Sequence, residues 1–159
     1  MSAPVPPGPG YRALRQGRIS LPGHTYFVTT VCHKRRRVFA AWEVASAVCR
    51  EFAHARLWRS SLLLCWVLMP DHLHLLVELG DEEPLDKLMR RVKAVTSREA
   101  KAAGCGVEQP LWMRGYHERL MRNGLNREAA ARYIVANPVR AGLVGSCREY
   151  PYWDAIWLE

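Results

Sequence analysis

Apolar and polar positions alternate along this chain in patterns that change from one segment to the next. Between Leu62 and Leu79 the run LLLCWVLMPDHLHLLVEL has two Leu- and Val-rich limbs around Met69-Pro70-Asp71. Pro-Asp is turn chemistry, so the run predicts a β-hairpin. Thr25 to Cys32, TYFVTTVC, has the β-branched and aromatic content of a strand. From Ala41 to Trp58 the residues Val44, Val48 and Phe52 recur every four positions beside Ala45 and Cys49, which predicts an amphipathic helix closed by Ser60 and Ser61. A second helix is predicted from Leu85 to about Ala103, with Leu85, Leu88, Met89, Val92 and Val95 on its inner face.

Gly104 to Pro110 reads as a loop, and Tyr116 to Arg122 as a fourth strand. Asn126 is a favourable N-cap for a third helix over Arg127 to about Ala136. That helix must end near Asn137, because Pro138 disfavours helical geometry in the residue before it. The predicted order is βαββαβ followed by one more helix. This is the order of an α+β, ferredoxin-like antiparallel sheet with an additional C-terminal helix, which carries Tyr133, and its central strands include the second limb of the hairpin.

Such a sheet hosts binders and enzymes alike. The chemistry therefore has to come from side chains. His72 and His74 flank Leu73 on a strand, so both imidazoles project from one face while Leu73 and Leu75 project from the other. Two readings fit the pair: polar-face histidines that only pack, or two ligands of a metal ion, since neutral imidazole is the commonest metal ligand. Tyr133 and Asn137 stand four residues apart on the terminal helix and share a face. Facing the imidazoles, they complete a site for cutting a phosphodiester, in which Tyr133 attacks phosphorus and a metal held by His72, His74 and the Asn137 oxygen polarises the phosphate. Tyrosine as part of the core and Asn137 as a helix-end residue are the alternatives.

At 159 residues the length suits one domain, assigned to residues 11–159 after a Pro- and Gly-rich lead-in, residues 1–10, expected to be disordered. Twenty-three Lys and Arg against fifteen Asp and Glu give a net charge of +8, which favours a polyanion and makes nucleic acid the default partner. The basic residues gather before the first strand, at Arg12, Arg15 and Arg18, and after it, at Lys34, Arg35, Arg36 and Arg37, where they suit phosphate contact. Trp112, Arg114 and Tyr116 mix aromatic and cationic groups, a combination that stacks on unpaired bases; packing of Trp112 in the core is the competing reading. The five cysteines are scattered, odd in number and never spaced C-x-x-C, which argues against a disulfide framework or structural zinc. No apolar run reaches the length of a membrane span and no signal core opens the chain, so the expected location is cytoplasmic.

Three segments in order carry a resemblance: Leu21 to Thr29 (LPGHTYFVT), Val67 to Val77 (VLMPDHLHLLV) and Tyr133 to Val144 (YIVANPVRAGLV). With them the chain resembles the REP-associated tyrosine transposases, a branch of the single-tyrosine HUH nuclease superfamily that includes the small insertion-sequence transposases. His72-Leu73-His74 matches the family's His-hydrophobic-His metal motif, and Tyr133 falls where the family keeps its nucleophile. Asn137 falls at the third polar ligand, and Lys93 corresponds to a lysine common on the second helix. The resemblance implies cleavage of single-stranded DNA next to a hairpin, dependent on Mg2+ or Mn2+, through a 5'-phosphotyrosine link that permits rejoining. It implies single-stranded and hairpin DNA as partners and a monomer or a homodimer. A non-catalytic nucleic-acid-binding module on the same sheet, and a metal-dependent phosphohydrolase that uses water, remain as rivals.

Overall fold

A computed structural model describes residues 20–107, 110–122 and 124–157. The lead-in at residues 1–10 and Arg12, Arg15 and Arg18 lie outside the described residues. The elements run β1 (Thr25–Val31), α1 (Trp42–Glu51), α2 (Ala55–Trp58), β2 (Leu62–Met69), β3 (His72–Glu78), α3 (Leu85–Ala102), β4 (His117–Met121), α4 (Gly124–Val135), α5 (Asn137–Arg140) and β5 (Trp153–Ala155). The strands form one antiparallel sheet in the order β4-β1-β3-β2-β5. The fold is α+β and ferredoxin-like, with the histidine strand β3 at its centre.

Alternation along β3 sends Leu73, Leu75 and Val77 to one face, where they pack with Tyr26 and Val28 of β1 against Val44 and Val48 of α1 and Leu88, Met89 and Val92 of α3. Each such fully buried side chain contributes roughly 1.5–3 kcal/mol of burial free energy. The even-numbered residues of β3 turn the other way. On that second face Leu76 joins Cys65, Val67 and Met69 of β2, and α4 covers them with Ala131 and Ile134. The sheet is therefore sandwiched, two long helices on one side and the tyrosine helix on the other. A register shift between Leu63 and Cys65 keeps β2 in step with both layers.

Several expectations change. The predicted helix over Ala41–Trp58 is two helices, broken after Glu51. A continuous helix would have carried the four-residue stripe on to Arg56 and swung Leu57 and Trp58 away from the core. The break instead leaves Arg56 exposed and buries Leu57 and Trp58, and Trp58 Nε1 donates to the Phe52 carbonyl at 2.8 Å. The helix expected to be capped at Asn126 begins at Gly124, so Asn126 lies in its first turn. A cap preference of about 1 kcal/mol is easily outweighed by the packing of the helix on β2. Trp112 is core: its indole donates to Thr96 Oγ1 at 2.8 Å, and its ring lies 5.4 Å from that of Phe39. Strand β5 was not expected at all; it pairs with β2, and just before it Tyr150 donates from its hydroxyl to the Leu68 carbonyl at 2.5 Å.

At the far end of the hairpin a salt bridge ties α3 to the loop before it and to α2. Glu83, its side chain 6% exposed, receives both guanidinium nitrogens of Arg91, whose Nε donates to the Leu57 carbonyl at 2.9 Å. The Arg91 hydrogen bonds hold the Glu83 carboxyl below its ordinary range. A depressed carboxylate stabilises the fold fully above the unfolded pKa of about 4.3, and that stability is lost as the pH falls through the lower folded value. Arg91→Ala is expected to cost roughly 2–3 kcal/mol at pH 7 in urea unfolding. The gap between variant and wild type should narrow as the pH is taken well below 4; an equal gap at both pH values would rule the ion pair out as the cause.

Candidate active site

The two imidazoles stand on the central strand β3, at its hairpin end, on the α4 side. In the β1 and β2 registers His72 lies opposite Val31 and Met69, and His74 opposite Thr29 and Val67. Their ring centroids are 4.7 Å apart and nearly perpendicular. Each ring is anchored through Nδ1. His72 Nδ1 donates to Asp71 Oδ1 at 2.6 Å, because a carboxylate can only accept, and His74 Nδ1 and the Thr29 hydroxyl are hydrogen-bonded at 2.8 Å. Such bonds fix ring orientation and leave Nε2 of each imidazole for a ligand. Burial above all, then the neighbouring His72 and Arg140, pushes His74 down to about 3. At neutral pH it is the uncharged imidazole, the form that binds metals.

Tyr133 reaches the same sheet face from α4, where it is 54% exposed. Its ring centroid lies 6.1 Å from that of Phe27, and Phe27 lies 5.3 Å from His74. Tyrosine and histidines are thus joined within one chain by a line of rings, with Phe27 in the middle. The Arg140 guanidinium sits 3.8 Å over the tyrosine ring centroid, and its Nη2 donates to the Tyr133 carbonyl at 2.8 Å. Carbonyls in the last turn of a helix lack intrahelical partners, and this one takes the arginine.

Asn137 is half-buried and opens α5, the short turn that Pro138 starts after ending α4. Among the described residues no three His, Cys, Asp or Glu side chains gather in a group able to hold a metal. The imidazole pair therefore needs a further donor of another kind, such as an amide, a phosphate or water. The donor set fits a divalent ion of intermediate softness better than a structural zinc cage. Burial pushes the Cys32, Cys49 and Cys65 thiols to about 12, which keeps them protonated and poor nucleophiles at neutral pH.

The basic residues Lys34 to Arg37 follow β1 at the histidine end of the sheet, where Cys32 N donates to the Asp71 carbonyl and Phe39 N to that of Pro70. Lys34 and Arg35 both adopt positive φ, 57° and 50°, a strained pair that turns Arg35 back so that its Nη1 lies 3.6 Å from Asp71 Oδ2. Lys93 is engaged with the carbonyls of Met113 and Gly115 and so braces the loop that carries Arg114, which is exposed. His117 on β4 lies opposite Thr29, in one cross-sheet row with His74, and is exposed.

Phe27, Thr29, Asp71 and Arg140 join the site although no sequence pattern marks the first two. Their place depends on which strands pair. Asp71 was readable as the neighbour of His72. Arg140 was not readable, because the helix that carries Tyr133 ends before it and Arg140 stands on the separate turn α5.

The sequence profile of the family described as "Transposase IS200 like" matches residues 20–137. No curated protein matches the chain significantly. Among solved structures, a REP-associated tyrosine transposase bound to a REP hairpin superposes with a TM-score of 0.67 at 22% identity, over 86% of this chain and 79% of that one. A candidate transposase from Deinococcus radiodurans R1 superposes with a TM-score of 0.52 at 20% identity, over 74% of this chain and 93% of that one. At these identities the two structures speak to the fold.

Proposed function

This chain belongs to the IS200-like transposase family, and from that premise we propose that it cleaves and rejoins single-stranded DNA beside a hairpin, with Tyr133 as the nucleophile. The observation that carries the reading is the convergence, on one sheet face of one chain, of an exposed tyrosine and two imidazoles whose Nδ1 atoms are already engaged. The phenol oxygen forms a bond to phosphorus, the bond from phosphorus to the 3'-oxygen breaks, and the phenol proton ends on that departing oxygen. The products are a 5'-phosphotyrosine and a free 3'-hydroxyl. Phenolate is a better leaving group than an alkoxide, so the 3'-hydroxyl can attack the link and rejoin the strand without an outside energy source.

His72 and His74 are the proposed ligands of Mg2+ or Mn2+, with the Asn137 side-chain oxygen as a third donor. When bound there, the ion supplies polarisation of a non-bridging phosphate oxygen. Lys34 to Arg37 and Arg114 neutralise backbone phosphates around the cut, Lys93 acts through the loop it braces, and Arg12, Arg15 and Arg18 are proposed for the same phosphate-neutralising role. No described helix is long and apolar enough to cross a membrane, and action on DNA in the cytoplasm completes the proposal.

The test uses hairpin-flanked single-stranded DNA labelled at either end, incubated with wild type and Mn2+ and resolved under denaturing conditions. The 3'-labelled strand should migrate as a covalent protein adduct, and the released 5'-labelled fragment should be extendable by a polymerase. Binding without cleavage would point to the non-catalytic module, and cleavage without an adduct to water as the nucleophile.

A further inference from the structure

Arg140 belongs to no basic run and stands seven residues beyond the tyrosine. Its guanidinium nevertheless sits over the Tyr133 ring, 3.8 Å from the centroid, and is anchored by one nitrogen on the Tyr133 carbonyl. A single anchoring bond occupies one of five N–H donors. Both side chains are exposed, and a guanidinium centred over the ring is close enough for its remaining donors to reach a phosphate joined to the phenol oxygen.

We propose that Arg140 binds the phosphate that Tyr133 attacks, pairing with its non-bridging oxygens in the transition state and in the phosphotyrosine, and so acts as a catalytic residue of the strand-cleavage site. The inference rests on the reading of Tyr133 as nucleophile. A guanidinium matches two phosphate oxygens at once, and a cation held in place before the reaction offsets the charge that gathers on those oxygens as the new bond forms. The stacking contact supplies that placement, because a long arginine left free would have to lose its side-chain freedom on meeting the substrate. The carbonyl anchor sets the reach of the side chain from the same helix end that presents the tyrosine. On this account α4 and α5 deliver nucleophile and cation as one unit.

Bracing the end of α4 is the structural alternative, and two substitutions separate it from phosphate binding. Arg140→Gln keeps a side-chain N–H for the Tyr133 carbonyl but loses the charge, whereas Arg140→Lys keeps the charge and loses the planar fork. Single-turnover adduct formation with 3'-labelled hairpin DNA is measured for each, together with thermal melting and with hairpin binding in the absence of metal. Phosphate binding predicts that Arg140→Gln melts with wild type and binds the hairpin within about threefold, because many phosphate contacts share the affinity. Its adduct formation falls by about 10²-fold, and Arg140→Lys recovers roughly tenfold of that loss. An Arg140→Gln variant that forms adduct at the wild-type rate, or an Arg140→Lys variant no faster than Arg140→Gln, overturns the proposal. Wild type that cuts without forming an adduct overturns the tyrosine reading itself, and the two failures are read from different lanes of one gel.

Discussion

Tyr133→Phe is expected to reduce cleavage by about 10⁴-fold and to abolish the covalent adduct, while leaving hairpin binding and stability close to wild type. The structure makes this an unusually clean substitution. The contacts of Tyr133 with Phe27 and Arg140 are made by its ring, which phenylalanine retains, and the side chain is more than half exposed. Loss of the oxygen should therefore change stability by no more than about 0.5 kcal/mol. A variant that still cuts DNA at a substantial rate would transfer the nucleophile's role to water. One that no longer melts with wild type would show that the hydroxyl holds the helix in place.

His74→Ala is expected to lower cleavage by at least about 10³-fold and to weaken Mn2+ binding, read by calorimetry or by the electron paramagnetic signal of free Mn2+, by at least about 10²-fold. Its effect should exceed that of Thr29→Val, which removes only the hydroxyl bonded to His74 Nδ1 and is expected to cost 10- to 100-fold in affinity. Chelation of wild type with EDTA should stop cleavage, and added Mn2+ should restore it. His74→Ala should not be restored by the same concentration. The substitution also carries a structural penalty of roughly 1–3 kcal/mol, since the half-buried imidazole packs on Phe27 and its loss leaves the Thr29 hydroxyl without that partner. Unchanged Mn2+ affinity in a folded variant would sink the assignment of the imidazole as a ligand.

Much of this architecture was legible before any coordinates, because its signals are periodic or chemical. The hairpin of β2 and β3 announces itself by two apolar limbs around Pro70-Asp71, and the alternation in β3 alone places both imidazoles on one face. Pro138 marks the end of α4. What could not be read depends on partners distant in sequence. Thr29 meets His74 only because β1 pairs with β3, and Phe27 comes between His74 and Tyr133 only because α4 returns over that face. The break after α1 needed knowledge of where Leu57 and Trp58 find their core. Three residues are too few for β5 to show a period of two, and its edge pairing with β2 does the work that propensity does not.

The placement of β3 has a dynamic consequence. Hydrogen-bonded on both sides, by β1 and by β2, its amides can exchange with solvent only when much of the sheet opens. Tyr133 hangs on a helix that follows the edge strand β4, which has one neighbour and five residues. Detachment of that helix, which must give up the packing of Ala131 and Ile134 on β2 and β3, costs less free energy than global unfolding and carries the tyrosine off while the imidazole pair stays put. Amide protons around Tyr133 should accordingly exchange well before those of His72 to Glu78. The protein can thus fall silent in a state that is still almost entirely folded.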